Sequence, residues 1–132
     1  RSNRKTIGLE VRADESVILR APAVDEISDV EWKSILGEFT ERVNHFCKVM
    51  DVTVGRITIR NQKTRWGSCS SKGNVNFNYQ LYYMPRELMD YVIIHELSHR
   101  RHMNHSAEFW QEVEKYCKTY RECRKKLRDY EI

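Results

Sequence analysis

The sequence predicts an α+β fold, on three observations: an opening run whose apolar residues alternate, a middle segment rich in Val, Ile, Thr and aromatic residues, and three stretches whose apolar residues recur every three or four positions. In "KTIGLEVRADESVILRAP", Ile7, Leu9 and Val11 alternate with Gly8, Glu10 and Arg12, then a polar "ADES" leads into a second apolar run. An N-terminal β-hairpin within residues 1–22 is expected. "SDVEWKSILGEFTERVNHFCKVM" places Trp32, Ile35, Leu36, Phe39, Val43, Phe46 and Met50 at helical spacing, with Ser28 and Glu31 in the pattern of a capping box. One long amphipathic helix follows. "VTVGRITIRNQKTRWGSCSSKGNVNFNYQLYY" predicts two or three short strands, with the turn at "SSKGN". Pro85 suits the first turn of a second helix, on which Leu88, Tyr91, Val92 and His95 share a face. After Asn104, Phe109, Val113, Tyr116 and Tyr120 keep the spacing of one last helix with Lys and Arg on its outer face.

At 132 residues the chain has the length of a single domain able to bury its own core. Cys47, Cys69, Cys117 and Cys123 stand far apart without a CxxC pair, which excludes a dense disulfide framework and a zinc ribbon. A reduced, cytoplasmic setting is expected. No apolar run is long enough to span a membrane, and "RSNRKTIGLE" has charge without the apolar core of a secretory signal, so no membrane partner is expected. The net charge of +4 arises from 23 basic and 19 acidic residues that are interspersed, which reads as an ordinary solvated surface.

Chemistry concentrates in "YVIIHELSHRRHMNHSAEFW", where four of the five histidines lie between positions 95 and 105. On a helix, His95 and His99 sit one turn apart, so two imidazoles can converge on one ion, with zinc the expected metal at one per chain. Between them Glu96 completes HExxH, placing a carboxylate where it can act as general base without being a ligand. A third ligand is required. His102 would climb ~4.5 Å further along the axis, at about 1.5 Å per residue, whereas His105 returns to the site if the helix stops near Met103 and Asn104 takes a left-handed conformation. The expected set is His95, His99 and His105 on the metal with Glu96 catalytic.

Other features are weaker. Trp66, Gly67, Ser68 and Cys69 form a strand along which an extended peptide substrate can pair, Gly67 allowing close approach. Cys69 is a poor candidate nucleophile, lacking a partner. Asn78, Tyr79, Tyr82 and Tyr83 are candidates to stabilise an oxyanion, against the plainer reading of core packing. Arg56, Arg60, Lys63 and Arg65 with Trp66 suit nucleic acid, but a solvated strand face is favoured. Phe109 and Trp110 are expected to pack beneath His105.

"RWGSCSSKGNVNFNYQL" followed by "YVIIHELSHRRHMNHSAEFW" strongly resembles the YgjP-like metallopeptidase domain, a zincin group related to the WLM and SprT-like proteases. The resemblance covers about residues 53–127, and the opening hairpin also matches. It implies a zincin-like fold, with a small mixed or antiparallel sheet, a long helix in the N-terminal half, the HExxH helix and a C-terminal helix. It also implies zinc on His95, His99 and His105, Glu96 as general base, and a cleft bordered by Trp66–Cys69. The family's longer segment between hairpin and first helix is here only "VDEISD". The expected function is therefore a zinc metallopeptidase acting on a peptide or protein. Metal-dependent pyrophosphohydrolysis of a nucleoside triphosphate of the UTP type, served by Arg60, Lys63, Arg65, Arg100 and Arg101, ranks second. A non-catalytic, zinc-stabilised nucleic-acid-binding module ranks third, because it leaves Glu96 without a role.

Overall fold

The computed structural model describes residues 8–11, 17–62 and 64–130, of which 8–11 and 17–20 by their backbone. Strands β1 (Gly8–Val11) and β2 (Val17–Arg20) pair antiparallel from Gly8↔Arg20 to Val11↔Val17, which is the expected hairpin. Its "ADES" connection, and Lys63 of the basic segment, lie outside the described residues.

After a short 3-10 turn at Val24–Glu26 comes α1 (Asp29–Met50). Ser28 caps it, its Oγ accepting the Glu31 N–H at 3.1 Å. The reciprocal half of the expected capping box is not made. Glu31 instead turns inward, is buried, and accepts a hydrogen bond from the Tyr83 hydroxyl. Burial first, then the Glu31 carboxylate, push the Tyr83 phenol above its usual pKa, so the shared proton stays on Tyr83. Ile35, Phe39, Val43, Phe46 and Met50 form the buried stripe of α1, while Leu36, expected with them, is exposed. The helix ends at Asp51, whose left-handed backbone (φ 58°) closes the last turn.

Strands β3 (Ile57–Arg60), β4 (Gly67–Cys69) and β5 (Val75–Asn78) form a mixed sheet in the order β3-β5-β4, with β3 parallel and β4 antiparallel to the central β5. The β4–β5 turn is at Ser70–Asn74 as expected, with Gly73 at φ 90°. Phe77 on β5 stacks on Phe39 of α1 at 5.5 Å between ring centres, and both are fully buried.

A second 3-10 turn (Tyr79–Tyr83) leads to α2 (Arg86–Ser98), which is buried on almost every side. It packs against α1, β4 and both later helices, and the Arg42–Asp90 pair, bonded at 3.0 and 2.8 Å, ties it to α1. The single last helix is corrected to two, α3 (Ala107–Tyr116) and α4 (Tyr120–Arg128). Cys117 is extended between them (φ −139°, ψ 91°), which lets α4 fold back so that Tyr120, Cys123 and Leu127 are buried and Lys126 pairs with Glu87 of α2 at 2.7 Å. Among the described residues no helix is long and apolar enough to cross a membrane.

Because Phe77 is fully buried against Phe39, Phe77→Ala is expected to cost roughly 3–5 kcal/mol of stability. The loss should be visible as a lowered midpoint in urea unfolding.

Candidate metal centre

The centre is built where α2 ends. Helix α2 ends at Ser98, five residues before the Met103 that the sequence suggests, with His99 as a capping residue whose backbone is still right-handed helical (φ −67°, ψ −14°). The reason lies in a side chain. His99 Nδ1 is 3.1 Å from the His102 carbonyl, which can only accept, so the His99 ring proton is held there and its other nitrogen keeps a free lone pair. Asn104 does not take the expected left-handed conformation. Among the described residues, Asp51 is the non-glycine with positive φ, and the return to His105 is spread over turns and bends from His99 to Asn104. Ser106 then caps α3, accepting the Phe109 N–H at 3.3 Å.

The return brings His95, His99 and His105 together, each with one ring nitrogen within 4.8 Å of the others. Small ring rotations reach the ~2.0–2.1 Å of zinc–imidazole bonds from that spacing. His102 is outside the cluster and contributes its carbonyl. Partial burial first, then the neighbouring His95 and His99, hold the His105 pKa below the usual histidine value, which favours the neutral form that a metal needs. Phe109, fully buried on α3, touches all three rings, with centroids 5.0 Å from His95, 4.5 Å from His99 and 4.9 Å from His105. Trp110 stacks beside His105 at 5.9 Å. Both aromatics thus support the cluster, as their position beside it suggests. Three imidazoles converging without an intervening acid or thiol fit a transition-metal ion such as zinc.

Glu96 is 5% exposed, and its Oε2 lies 3.2 Å from His95 Nδ1. Gly67 makes room for it: a Cβ there would sit 3.2 Å from Glu96 Cγ and 3.1 Å from Val92 Cγ1. A cleft of about 290 Å³ opens over Glu96 and the three histidines, walled by Arg65, Gly67, Ser68 and Cys69. Trp66, expected with that wall, faces an adjoining cavity instead. Strand β4 is one of the sheet's two edges. Trp66 O accepts from Asn78 N at 2.9 Å and Ser70 N donates to Asn74 O at 2.9 Å, so by antiparallel alternation the backbone groups of Gly67 and Cys69 point away from β5.

The remaining candidates have other partners. The Tyr79 hydroxyl donates to Pro22 O at 2.7 Å, Tyr83 bonds Glu31, and Tyr82 packs edge-on to Tyr83. Asn78 Nδ2 donates to Gln62 O at 3.2 Å and Arg65 O at 3.3 Å, so its work is to hold the loop that brings Arg65 to the cleft. Arg100 donates to Thr53 O (2.8 Å) and Ser71 O (3.3 Å), and Arg101 to Met50 O (3.0 Å) and Asp51 O (2.9 Å). Arg60 bonds Asn76. Burial first, then Glu96, raise the Cys69 pKa, which keeps it a thiol and a weak nucleophile. Tyr91, which its spacing places on the same face of α2 as His95, lies with Trp66 in the adjoining cavity.

The family profile described as YgjP-like, metallopeptidase domain, matches residues 23–130. The chain belongs to that family. Family membership makes it a metal-dependent peptidase, with peptide or protein substrates. The fold is shared with two solved structures. The metallopeptidase zymogen abylysin of Pyrococcus abyssi is 25% identical with a TM-score of 0.61, over 67% of this chain and 90% of its own. The metallopeptidase zymogen jannalysin of Methanocaldococcus jannaschii is 23% identical with a TM-score of 0.61, over 69% of this chain and 94% of its own. No curated protein matches the chain.

With no slack around Gly67, Gly67→Val is expected to cost about 1–3 kcal/mol by crowding Val92 and Glu96. Urea unfolding of the variant against the wild type measures it.

Proposed function

We propose that the protein is a zinc peptidase in which His95, His99 and His105 hold the ion and Glu96 is the general base. The observation that carries this reading is the convergence of three imidazoles beside a buried carboxylate, in a cleft walled by a free strand edge. Zinc bound there supplies Lewis-acid chemistry, acidifying water and drawing charge from a carbonyl oxygen. An extended peptide adds to β4 by hydrogen bonds with the outward-facing backbone of Gly67 and Cys69, which lays its carbonyl over the histidines. Trp66, Gly67, Ser68 and Cys69 thus form the substrate-binding strand, with Trp66 serving a side-chain subsite. Glu96 takes the proton of the attacking water and delivers it to the leaving amine. The triphosphate reading is less well supported, since the guanidinium groups of Arg100 and Arg101 are engaged by backbone carbonyls and Arg60 bonds Asn76, which leaves Arg65 as its basic residue at the cleft among the described ones. An interior, reduced location agrees with four free cysteines.

Glu96→Gln is expected to keep its zinc and lose at least about a thousandfold in cleavage of an unstructured protein, because the base is removed at constant size. Comparable turnover would remove Glu96 from the mechanism. In metal analysis after dialysis against a weak chelator, His105→Ala should retain little zinc and His102→Ala close to one ion per chain. The reverse ranking would place the third ligand elsewhere.

A further inference from the structure

Strand β3 is the other edge of the mixed sheet, across β5 from the β4 edge that walls the metal cleft. Arg56 O accepts the Val75 N–H at 2.8 Å, so in this parallel ladder the backbone groups of Arg56, Thr58 and Arg60 are turned to β5 and those of Ile57 and Ile59 away from it. Side chains alternate in step. Ile57 and Ile59 share the face of their partners Val75 and Phe77, and Phe77 stacks on Phe39, so both isoleucines face the α1 layer. Arg56, Thr58 and Arg60 take the outer face, where Arg60 Nε donates to Asn76 Oδ1 at 3.1 Å. At this edge the space between helix and sheet is open: a groove of about 330 Å³ runs between Trp32, Lys33 and Leu36 of α1 and Ile57, Thr58 and Ile59 of β3. Leu36, 46% exposed despite its place in the helical pattern, lies here. The charge around the groove has one sign. Lys33 lines it, Arg56 and Arg60 flank the two isoleucines, all three are exposed, and no acidic side chain lines it among the described residues.

We propose that β3 is a docking edge for a strand of a partner protein that reads acid, apolar, any residue, apolar, acid. Added antiparallel, such a strand bonds the outward backbone groups of Ile57 and Ile59 through its two apolar residues. Their side chains then enter the groove against Trp32 and Leu36, which continues the apolar layer between α1 and the sheet by one strand. The two acids fall opposite Arg56 and Arg60 on the outer face, and opposite charges paired in this way are favourable. Charge also decides against a second copy of this chain as the occupant. Antiparallel self-pairing about Thr58 sets Arg56 opposite Arg60 twice, and like charges directly opposite one another are destabilising. The docking edge does not depend on the peptidase reading, since neither Glu96 nor the three histidines take part in it.

The test is a titration of the full chain with the peptide acetyl-Ser-Glu-Val-Thr-Val-Glu-Ser-amide, followed by amide hydrogen exchange. Binding should slow exchange at Ile57 and Ile59 at least about tenfold and leave Thr58, whose N–H already faces β5, unchanged. A peptide with lysine in place of both glutamates should bind at least about tenfold more weakly. The same loss is expected when both valines are N-methylated, which removes the donors that face β3 while keeping the side chains. Leu36→Glu, a change at an exposed position, should weaken binding to a similar degree at an unchanged unfolding midpoint. Equal affinity for the glutamate and lysine peptides, for the N-methylated peptide or in Leu36→Glu would overturn the inference, as would exchange at Ile57 and Ile59 that the peptide leaves unaltered. Protection of both amides without peptide, at concentrations where sedimentation shows a dimer, would overturn it too by making the occupant a second copy.

Discussion

The packing of Phe109 against His95, His99 and His105 is the contact on which the candidate site depends. Imidazoles that are to share an ion cannot be held by one another, because before the ion arrives their lone pairs face each other unfavourably. A fully buried phenyl ring that touches all three packs them by dispersion and makes no demand on their protonation, while the His102 carbonyl bonds His99 and the Glu96 carboxylate lies beside His95. That ring belongs to α3, so the geometry of the two histidines on α2 is controlled by a helix that follows them in sequence. Ser106, by capping α3, fixes where Phe109 arrives.

The parts of this arrangement that obey a repeat were legible in the sequence. The four-residue step from His95 to His99, the stripe from Ile35 to Met50 and the turn residues around Gly73 each carry their structure in their spacing. What escaped was decided by single contacts. Helix α2 was expected to run to Met103, but His99 bonds to its own downstream backbone, and no pattern encodes a side chain ending its helix. Of the capping box that Ser28 and Glu31 predict, the Ser28 half forms and the Glu31 half does not, because Tyr83, 52 positions away, takes the carboxylate.

The α3–α4 break was hidden for a different reason. Positions 109, 113, 116, 120, 123 and 127 keep alternating steps of four and three across it, so the apolar stripe is as regular as in one continuous helix. Thr119 before Tyr120 was the available hint, since Thr favours the start of a helix, although here its side chain makes no capping bond. Likewise, a strand segment shows its pleat but not which edge it occupies. The placement of β5 between β3 and β4 is what leaves β4 open toward the histidines.

Arg101 ties the turn after His99 to the two carbonyls that end α1, and its Nε lies 3.6 Å from Glu112 on α3. These anchors are some fifty and eleven residues from it in sequence, so they do not exist while the chain is only locally ordered. An isolated α2 segment would present His95 and His99 on a fraying end with nothing to bring His105 back. The turn after His99 thus depends on long-range contacts with α1 and α3 rather than on local sequence, and so does the meeting of the three histidines. Nascent or partly unfolded chains therefore lack the assembled cluster, and its three imidazoles meet only as a product of the whole fold.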